Sequence, residues 1–421
     1  MSSPIEGTKI KQNGMLTVVT GTFSALKHRN YRLWFTGQLV SLVGTWMQTT
    51  AQGYLIYQIT KSPVYLGYVS FASGMPSWLF TLYAGVIGDR MSRRTLLVIT
   101  QTSMMVLAFI LAGLVFEGSV QPWHVLVLSF LLGVANAFDA PSRLAFVVEL
   151  VDREDLTNAI ALNSTMFNAA TVVGPAVAGI TYAVFGAGWC FTINGLSFLA
   201  VIAALLMMRL KPFEQIIIHS APILEDIKAG FSYVRSNSAV GILILNLGVL
   251  SMFGNSLVTL IPDWAVNVLG GDVTTNSALL SFRGAGALIG ALLIATLSRY
   301  GVKGKLWSYG TAILPISMIF FAFMRWIPLS LFAVTVTGLS YMLTVNTTNA
   351  LVQTQVPDYL RSRVMGIYTL IFFGGMPLGS LLIGFMASSI GETQAVIVSA
   401  VILAAFAFFI WFRKPELRKM A

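Results

Sequence analysis

Apolar residues in this chain come in long runs, not in alternation. Runs of about 20 residues with few charges recur from residue 32 to residue 412, separated by short polar segments. A helix rising 1.5 Å per residue needs about 20 apolar residues to cross a hydrocarbon core of about 30 Å. It also satisfies its own backbone hydrogen bonds where lipid offers no partner. A membrane barrel would show short segments alternating every second residue. The pattern predicts an all-α integral membrane protein with twelve transmembrane helices, at 32–56, 64–87, 95–116, 123–148, 157–184, 189–208, 239–267, 275–298, 305–324, 327–353, 362–390 and 394–412. Composition agrees: 56% of the residues are apolar and 10% are charged, against about 25% charged in soluble domains.

The expected organisation is a polar N-terminal segment at 1–30, a six-helix half at 31–208, a linker at 209–238, a second six-helix half at 239–412 and a tail at 413–421. Residues 1–30 lack the charged, apolar and small-residue order of a secretory signal, so the first span reads as an uncleaved start. A shift of 205 residues places Gly85 on Gly290, Arg94 on Arg299, Val151 on Val356, Gly174 on Gly379 and Gly179 on Gly384. One offset joining five separated positions reads as a duplicated unit. The two six-helix halves are therefore expected to be pseudo-symmetric, which is the build of secondary transporters. In the linker, Ile223, Leu224, Ile227, Phe231 and Val234 recur at helical spacing. They predict a helix on the membrane surface or a soluble linker helix.

The net charge of +10 matters through its distribution. All 26 lysines and arginines except Lys61, Arg283 and Arg325 fall on one side of the predicted spans. This positive-inside asymmetry places both termini in the cytoplasm. It makes an anionic leaflet of the lipid bilayer, not nucleic acid, the neighbour of the basic excess. A monomer in the bacterial inner membrane is expected. The single cysteine, Cys190, excludes an intrachain disulfide. No His, Cys or carboxylate grouping has metal-ligand spacing, and no nucleophile-elbow, zinc-protease or phosphate-loop motif occurs. No catalytic residues, cofactor or metal are expected, and no nucleotide domain is present to let ATP drive the chain directly.

The specific signals lie in three short stretches. The turn after the second span reads GVIGDRMSRR, residues 85–94. Gly85 allows close helix approach, and Asp89 can face the positive N-terminus of a neighbouring helix. The fourth span contains NAFDAPSRLAF, residues 136–146. Asp139 and Arg143 are four residues apart there and share a helix face, and Pro141 frees the carbonyl of Ala137. The fifth span contains ATVVGPAVAG, residues 170–179. Pro175 bends that helix, and Gly174 and Gly179 permit tight contacts.

The first stretch resembles the G-x-x-x-D-R-x-x-R-R/K signature of the major facilitator superfamily. The third resembles the G-x-x-x-G-P-x-x-G-G element of its antiporters, with Ala170 and Ala178 replacing two glycines. ALKHRNYRLWFTGQLVSLVGTWMQ (25–48), FDAPSRLAFVVELV (138–151), EDLTNAIALNS (154–164) and FSYVRSN (231–237) are similar to the bacterial branch that includes the enterobactin exporter. The resemblance covers nearly the whole chain. It implies the major facilitator fold, with spans 1, 4, 7 and 10 around a central cavity. It further implies that Asp89, Arg90 and Arg94, with Gly85, form a conformational latch. In the outward-facing state that latch would close against the start of span 11, near Arg361 and Arg363. Asp139 and Arg143 are expected to join this gate network, with Asp139 as proton carrier in the alternative. The element around Gly174, Pro175 and Gly179 implies export. Ser129 stands where many of the superfamily's drug antiporters carry an arginine.

The residues fit a wet cavity. Span 1 carries Gln48 and Gln52, span 7 Asn246 and Asn255, and span 10 Tyr341 and Asn346. Spans 3, 6 and 12 hold long apolar stretches expected to face lipid. Polar side chains turn from lipid toward protein or water, so each of these residues bonds a neighbouring helix or lines the cavity. Arg283, inside span 8, needs a partner, because an unpaired arginine at the bilayer centre costs about 2.5–3.5 kcal/mol on insertion scales. It completes the candidate substrate-binding set. The expected function is proton-driven export of an amphipathic small molecule, a siderophore or a drug-like compound, by alternating access. An importer or lysolipid flippase on the same fold, and a non-transporting membrane sensor, are the alternatives.

Overall fold

A computed structural model describes residues 23–210, 223–297 and 300–420; side-chain surroundings at 81–82, 84–86, 88–89, 223–227 and 419 lie outside the described set. The chain folds into long helices: α1 (Arg29–Thr60), α2 (Pro63–Arg90), α3 (Arg93–Phe116), α4 (Pro122–Val147), α5 (Leu156–Phe185), α6 (Ala187–Met207), α7 (Ser238–Val268), α8 (Val273–Leu297), α9 (Lys303–Phe323), α10 (Ile327–Gln355), α11 (Asp358–Ile390) and α12 (Glu392–Arg413). Among the described residues ten of them, α3 to α12, are long and apolar enough to cross a membrane. Helices α1 and α2 fall outside that set, and Gln48, Thr49, Thr50 and Gln52 lie within an unbroken α1.

The apolar runs locate the helices but not their ends. Helical hydrogen bonding continues through polar turns until a specific residue stops it. Span 11, read as 362–390, begins at Asp358, whose carboxylate suits the positive end of the helix dipole. Gly186 (φ 86°) and Gly391 (φ 91°) end α5 and α11 in the left-handed region that glycine adopts freely. Ser92 Oγ accepts from the Thr95 amide at 3.2 Å to start α3. Asn237 Oδ1 accepts from the Ala239 and Val240 amides, each at 3.1 Å, to start α7.

The helix α7 departs from the continuous span expected at 239–267. It holds π-turns at Leu250–Gly254 and Trp264–Val268, and regular helix is interrupted at Asn255 and Ser256. A π-turn takes in one extra residue, and Pro262 cannot donate a backbone hydrogen bond.

The linker forms a helix from Ile223 to Ser236. Its Gly230 sits against the backbone of Arg363 in α11, and Tyr233 Oη donates to the Gln355 carbonyl at 3.2 Å. At the N-terminal side, a short 3-10 helix (Ser24–Lys27) is fastened to the start of α5. Lys27 Nζ and His28 Nε2 each lie 2.7 Å from Asp155 Oδ2. The bond to Asp155 holds the Lys27 ammonium above its ordinary pKa.

Within the first six helices, α1 packs on α5 and α6, α3 on α4 and α6, and α2 on α4. In the last six, α10 packs on α8 and α9, α12 on α9, and α11 on α7. Two long seams join these groups, α2 with α11 and α5 with α8. The glycines related by the 205-residue shift occupy matching places. Gly174 lets α5 approach the Trp46 and Val43 region of α1, and Gly379 lets α11 approach Met252 of α7. Gly179 packs on Ser277 of α8, and Gly384 on Pro63 and Gly67 of α2. Both seams therefore close the end of the bundle where α2 and α8 begin, and they reach inward to Trp78 against Gly374 and to Gly284 against Thr171. At the opposite end of α2, Tyr83 and Arg90 are exposed.

Candidate functional site

A cavity of about 220 Å³ opens among α1, α3, α4, α5 and α6. Gln38, Ser41, Thr45 and Thr49 of α1 give it one polar wall, because helical spacing repeats them on one face. Trp46, Met104, Phe167 and Phe198 give it an apolar wall. Asn136, Asp139 and Arg143 of α4 close one side. The lining is thus amphipathic, with apolar body and few convergent polar groups.

Asp139 is only 1% exposed. Its Oδ1 accepts from Thr100 Oγ1 at 2.9 Å and from Gln101 Nε2 at 2.8 Å, and its Oδ2 lies 3.6 Å from Arg143 Nε. Arg143 keeps 23% of its side chain accessible, so the pair is buried on the acidic side and open on the basic side. The carboxylate is held by two neutral donors and one cation, a set that fixes its position on the cavity wall.

A second polar group sits where α7, α8 and α10 meet. Arg283 Nη2 donates to Asn255 Oδ1 at 2.8 Å, and the guanidinium lies 5.5 Å from the centre of the Tyr341 ring. Arg283 Nε, Tyr341 Oη and Asn246 Nδ2 have no hydrogen-bond partner among the described residues.

The structure sorts the other sequence candidates. Gln48 accepts from Asn194 Nδ2 at 2.6 Å, and Gln52 donates to Ser129 Oγ at 2.6 Å, so both join α1 to neighbouring helices. Asn346 is half-buried on α10. Arg94 donates to the Leu206 carbonyl at 2.9 Å, tying α3 to α6 rather than reaching α11. Arg361 pairs with Asp358 in its own helix. The side-chain surroundings of Gly85 and Asp89 lie outside the described residues. Of the described latch residues, Arg94 is bonded within the first six helices.

The family model for transmembrane secretion effectors matches residues 20–421. The chain belongs to this family. The family's members here are transporters of the major facilitator superfamily, not enzymes. The chain is 24% identical to the staphyloferrin A transporter of Staphylococcus aureus (strain NCTC 8325 / PS 47), over 92% of this chain and 97% of that one. It is 25% identical to macrolide efflux protein A of Streptococcus pyogenes, over 90% and 96%. It is 24% identical to the enterobactin exporter of Escherichia coli O81 (strain ED1a), over 85% of each. Among solved structures, the fold matches a bacterial homologue of the human lysosomal transporter Spinster with a TM-score of 0.73 at 13% identity, covering 93% of this chain and 98% of that one. The chain is a multi-pass inner-membrane protein.

Two features of the site were hidden in the sequence. Helices α3 and α6 read as lipid-facing, yet Thr100, Gln101 and Asn194 are buried and bonded. Their polar residues are few among many apolar ones, so average hydropathy conceals a narrow protein-facing stripe. Asp263, fully buried near the end of α7, accepts from Asn267 Nδ2 at 2.7 Å. Its place four residues before Asn267 was the available signal.

Proposed function

We propose that this protein exports an amphipathic small molecule by alternating access, driven by a proton gradient. Twelve spans in two pseudo-symmetric six-helix halves would rock about a midplane site. The observation that carries this reading is the cavity at Asp139 and Arg143 in a bundle whose two seams are closed at the end where α2 and α8 begin. Its volume of about 220 Å³ is below the roughly 300–1,000 Å³ of drug-sized pockets. Cargo would therefore extend beyond this cavity to Asn246, Asn255, Arg283, Tyr341 and Asn346 of α7, α8 and α10. Relatives named for siderophore transport and for drug efflux support both cargo classes. Gly85, Asp89, Arg90 and Arg94 would latch the opposite end after Asp139 and Arg143 close. Asp139 as the proton carrier is the second reading, favoured by its burial on a cavity wall.

The transport test uses inside-out vesicles carrying the protein and a panel of siderophores and drug-like compounds. Accumulation that a protonophore abolishes is expected for at least one compound. Absence of both accumulation and counterflow across the panel would overturn the reading.

The charge asymmetry makes a separate prediction. Cysteines placed at Ser62, Ser119 and Glu392 should react with an impermeant thiol reagent from outside the cell, and one at Ser236 should not. Native Cys190 is buried, so background labelling should be low. The reverse pattern would invert the topology and remove the latch assignment.

A further inference from the structure

We propose that Arg283 is an anion-recognition site, so that the cargo carries a carboxylate or comparable oxyanion, and that binding it draws Arg283 away from Asn255 at the break in α7. The inference rests on the export reading above and narrows it to a substrate class.

The position of Arg283 is set by backbone contacts on both sides. Gly284 packs against Thr171 of α5, and Gly338 of α10 packs against the Arg283 carbonyl. The Ser281 hydroxyl also donates to the Val172 carbonyl at 2.9 Å. The guanidinium is thus presented from a pinned turn of helix, not from a mobile one.

Its partners are all neutral. One nitrogen donates to Asn255, the Tyr341 ring lies beneath, and Nε has no partner among the described residues. Arg283 forms no ion pair among the described residues. Arg143, by contrast, has Asp139. A guanidinium carries five donors in a planar fork suited to carboxylates, and here much of that capacity is unspent. Tyr341 is 8% exposed and its hydroxyl is also without a partner. Arg283 as a residue keeps some accessible surface, while its Nε and the Tyr341 hydroxyl are themselves enclosed, so one unpaired positive charge and two unsatisfied donors sit where α7, α8 and α10 meet. In such surroundings a charge attracts an anion more strongly than it would in water.

The resting acceptor is informative. Asn255 sits at the break that follows the first π-turn of α7. A neutral amide is a weaker acceptor for guanidinium than a carboxylate is. An anionic cargo would displace it and release the broken segment of α7. Occupancy would then be felt by the helix that packs on α11 at the seam.

The test uses purified protein in nanodiscs and two probes of one shape, 2-naphthoate and its neutral amide, 2-naphthamide, with empty nanodiscs as control. Wild-type protein should bind the carboxylate about tenfold more tightly than the amide, as charge-assisted bonds exceed neutral ones. Arg283→Gln should equalise the two, and Arg283→Lys should keep part of the preference, which also shows that a fold without arginine is intact. Asn255→Ala should tighten 2-naphthoate, because it removes the competing acceptor; a purely structural bond would make both variants weaker binders. Equal affinities or no binding in the wild type, a preference that survives Arg283→Gln, or weaker carboxylate binding by Asn255→Ala would each overturn the proposal. Accumulation by vesicles without an anion preference would leave the export reading standing. A preference without accumulation or counterflow would do the reverse.

Discussion

Gly384→Trp is expected to reduce net export to background while the protein still inserts and accumulates in the membrane. A Cβ at this position would lie 2.8 Å from the Pro63 carbonyl oxygen and 3.3 Å from Gly67 Cα. Both are backbone atoms, so no side-chain rotation relieves the clash. Overpacking costs about 1–3 kcal/mol, and a clash with backbone belongs at the upper end. About 3 kcal/mol is more than a hundredfold in an equilibrium constant. Two functional conformations differ by only a few kcal/mol, so the closed seam would become the minor state. Gly179→Trp at the matching α5 position should act alike. Gly113→Trp is the control, because nothing lies within 4 Å of a Cβ there. Vesicle transport at the wild-type rate in Gly384→Trp would show that the seam does not move during transport.

Asp139→Leu is expected to abolish both export and counterflow. It strands the Gln101 donor in a buried site, at about 1–3 kcal/mol, while the Thr100 hydroxyl keeps the Leu97 carbonyl as acceptor at 3.1 Å. Breaking a fully buried ion pair costs about 3–5 kcal/mol. The partial exposure of Arg143 lowers that figure here, since water in the cavity can hydrate the guanidinium. Asp139→Asn separates the two readings of this residue, because its Oδ1 can still accept from Thr100 and Gln101. Under the gate reading both activities fall together, since alternation itself is damaged. Under the proton-carrier reading uphill export is lost and counterflow survives, because exchange requires no net proton movement. Unchanged export with asparagine at 139 would reject both roles.

Hydropathy revealed where helices run because burial in lipid and burial in protein make similar demands on composition. It did not reveal the interruption of α7, since Asn255, Ser256 and Pro262 each occur in unbroken spans as well. The shifted glycines were legible in advance, and the contacts of Gly174 with α1 and Gly384 with α2 give them a physical reason. The partners of Asp139 were not, because Thr100 and Gln101 lie 39 and 38 residues away along the chain. Gln48 and Gln52 show the limit most clearly. Polar residues on one helix read equally well as cavity lining and as helix-to-helix bonds, and only packing decides between them. Arg283 demanded a partner, but sequence could not say that a neutral asparagine at a helix break would supply it.

The central claim is that one cavity faces each side of the membrane in turn. Thr49 is exposed and lines that cavity, so a cysteine there reports which end is open. The measurement is the rate at which an impermeant thiol reagent labels Thr49→Cys in inside-out and right-side-out vesicles, with and without Gly384→Trp. With Gly384 intact, labelling should be faster from the cytoplasmic side, and with tryptophan at 384 it should become faster from the outer side. Labelling that stays faster from the same side in both proteins would contradict alternating access through this cavity.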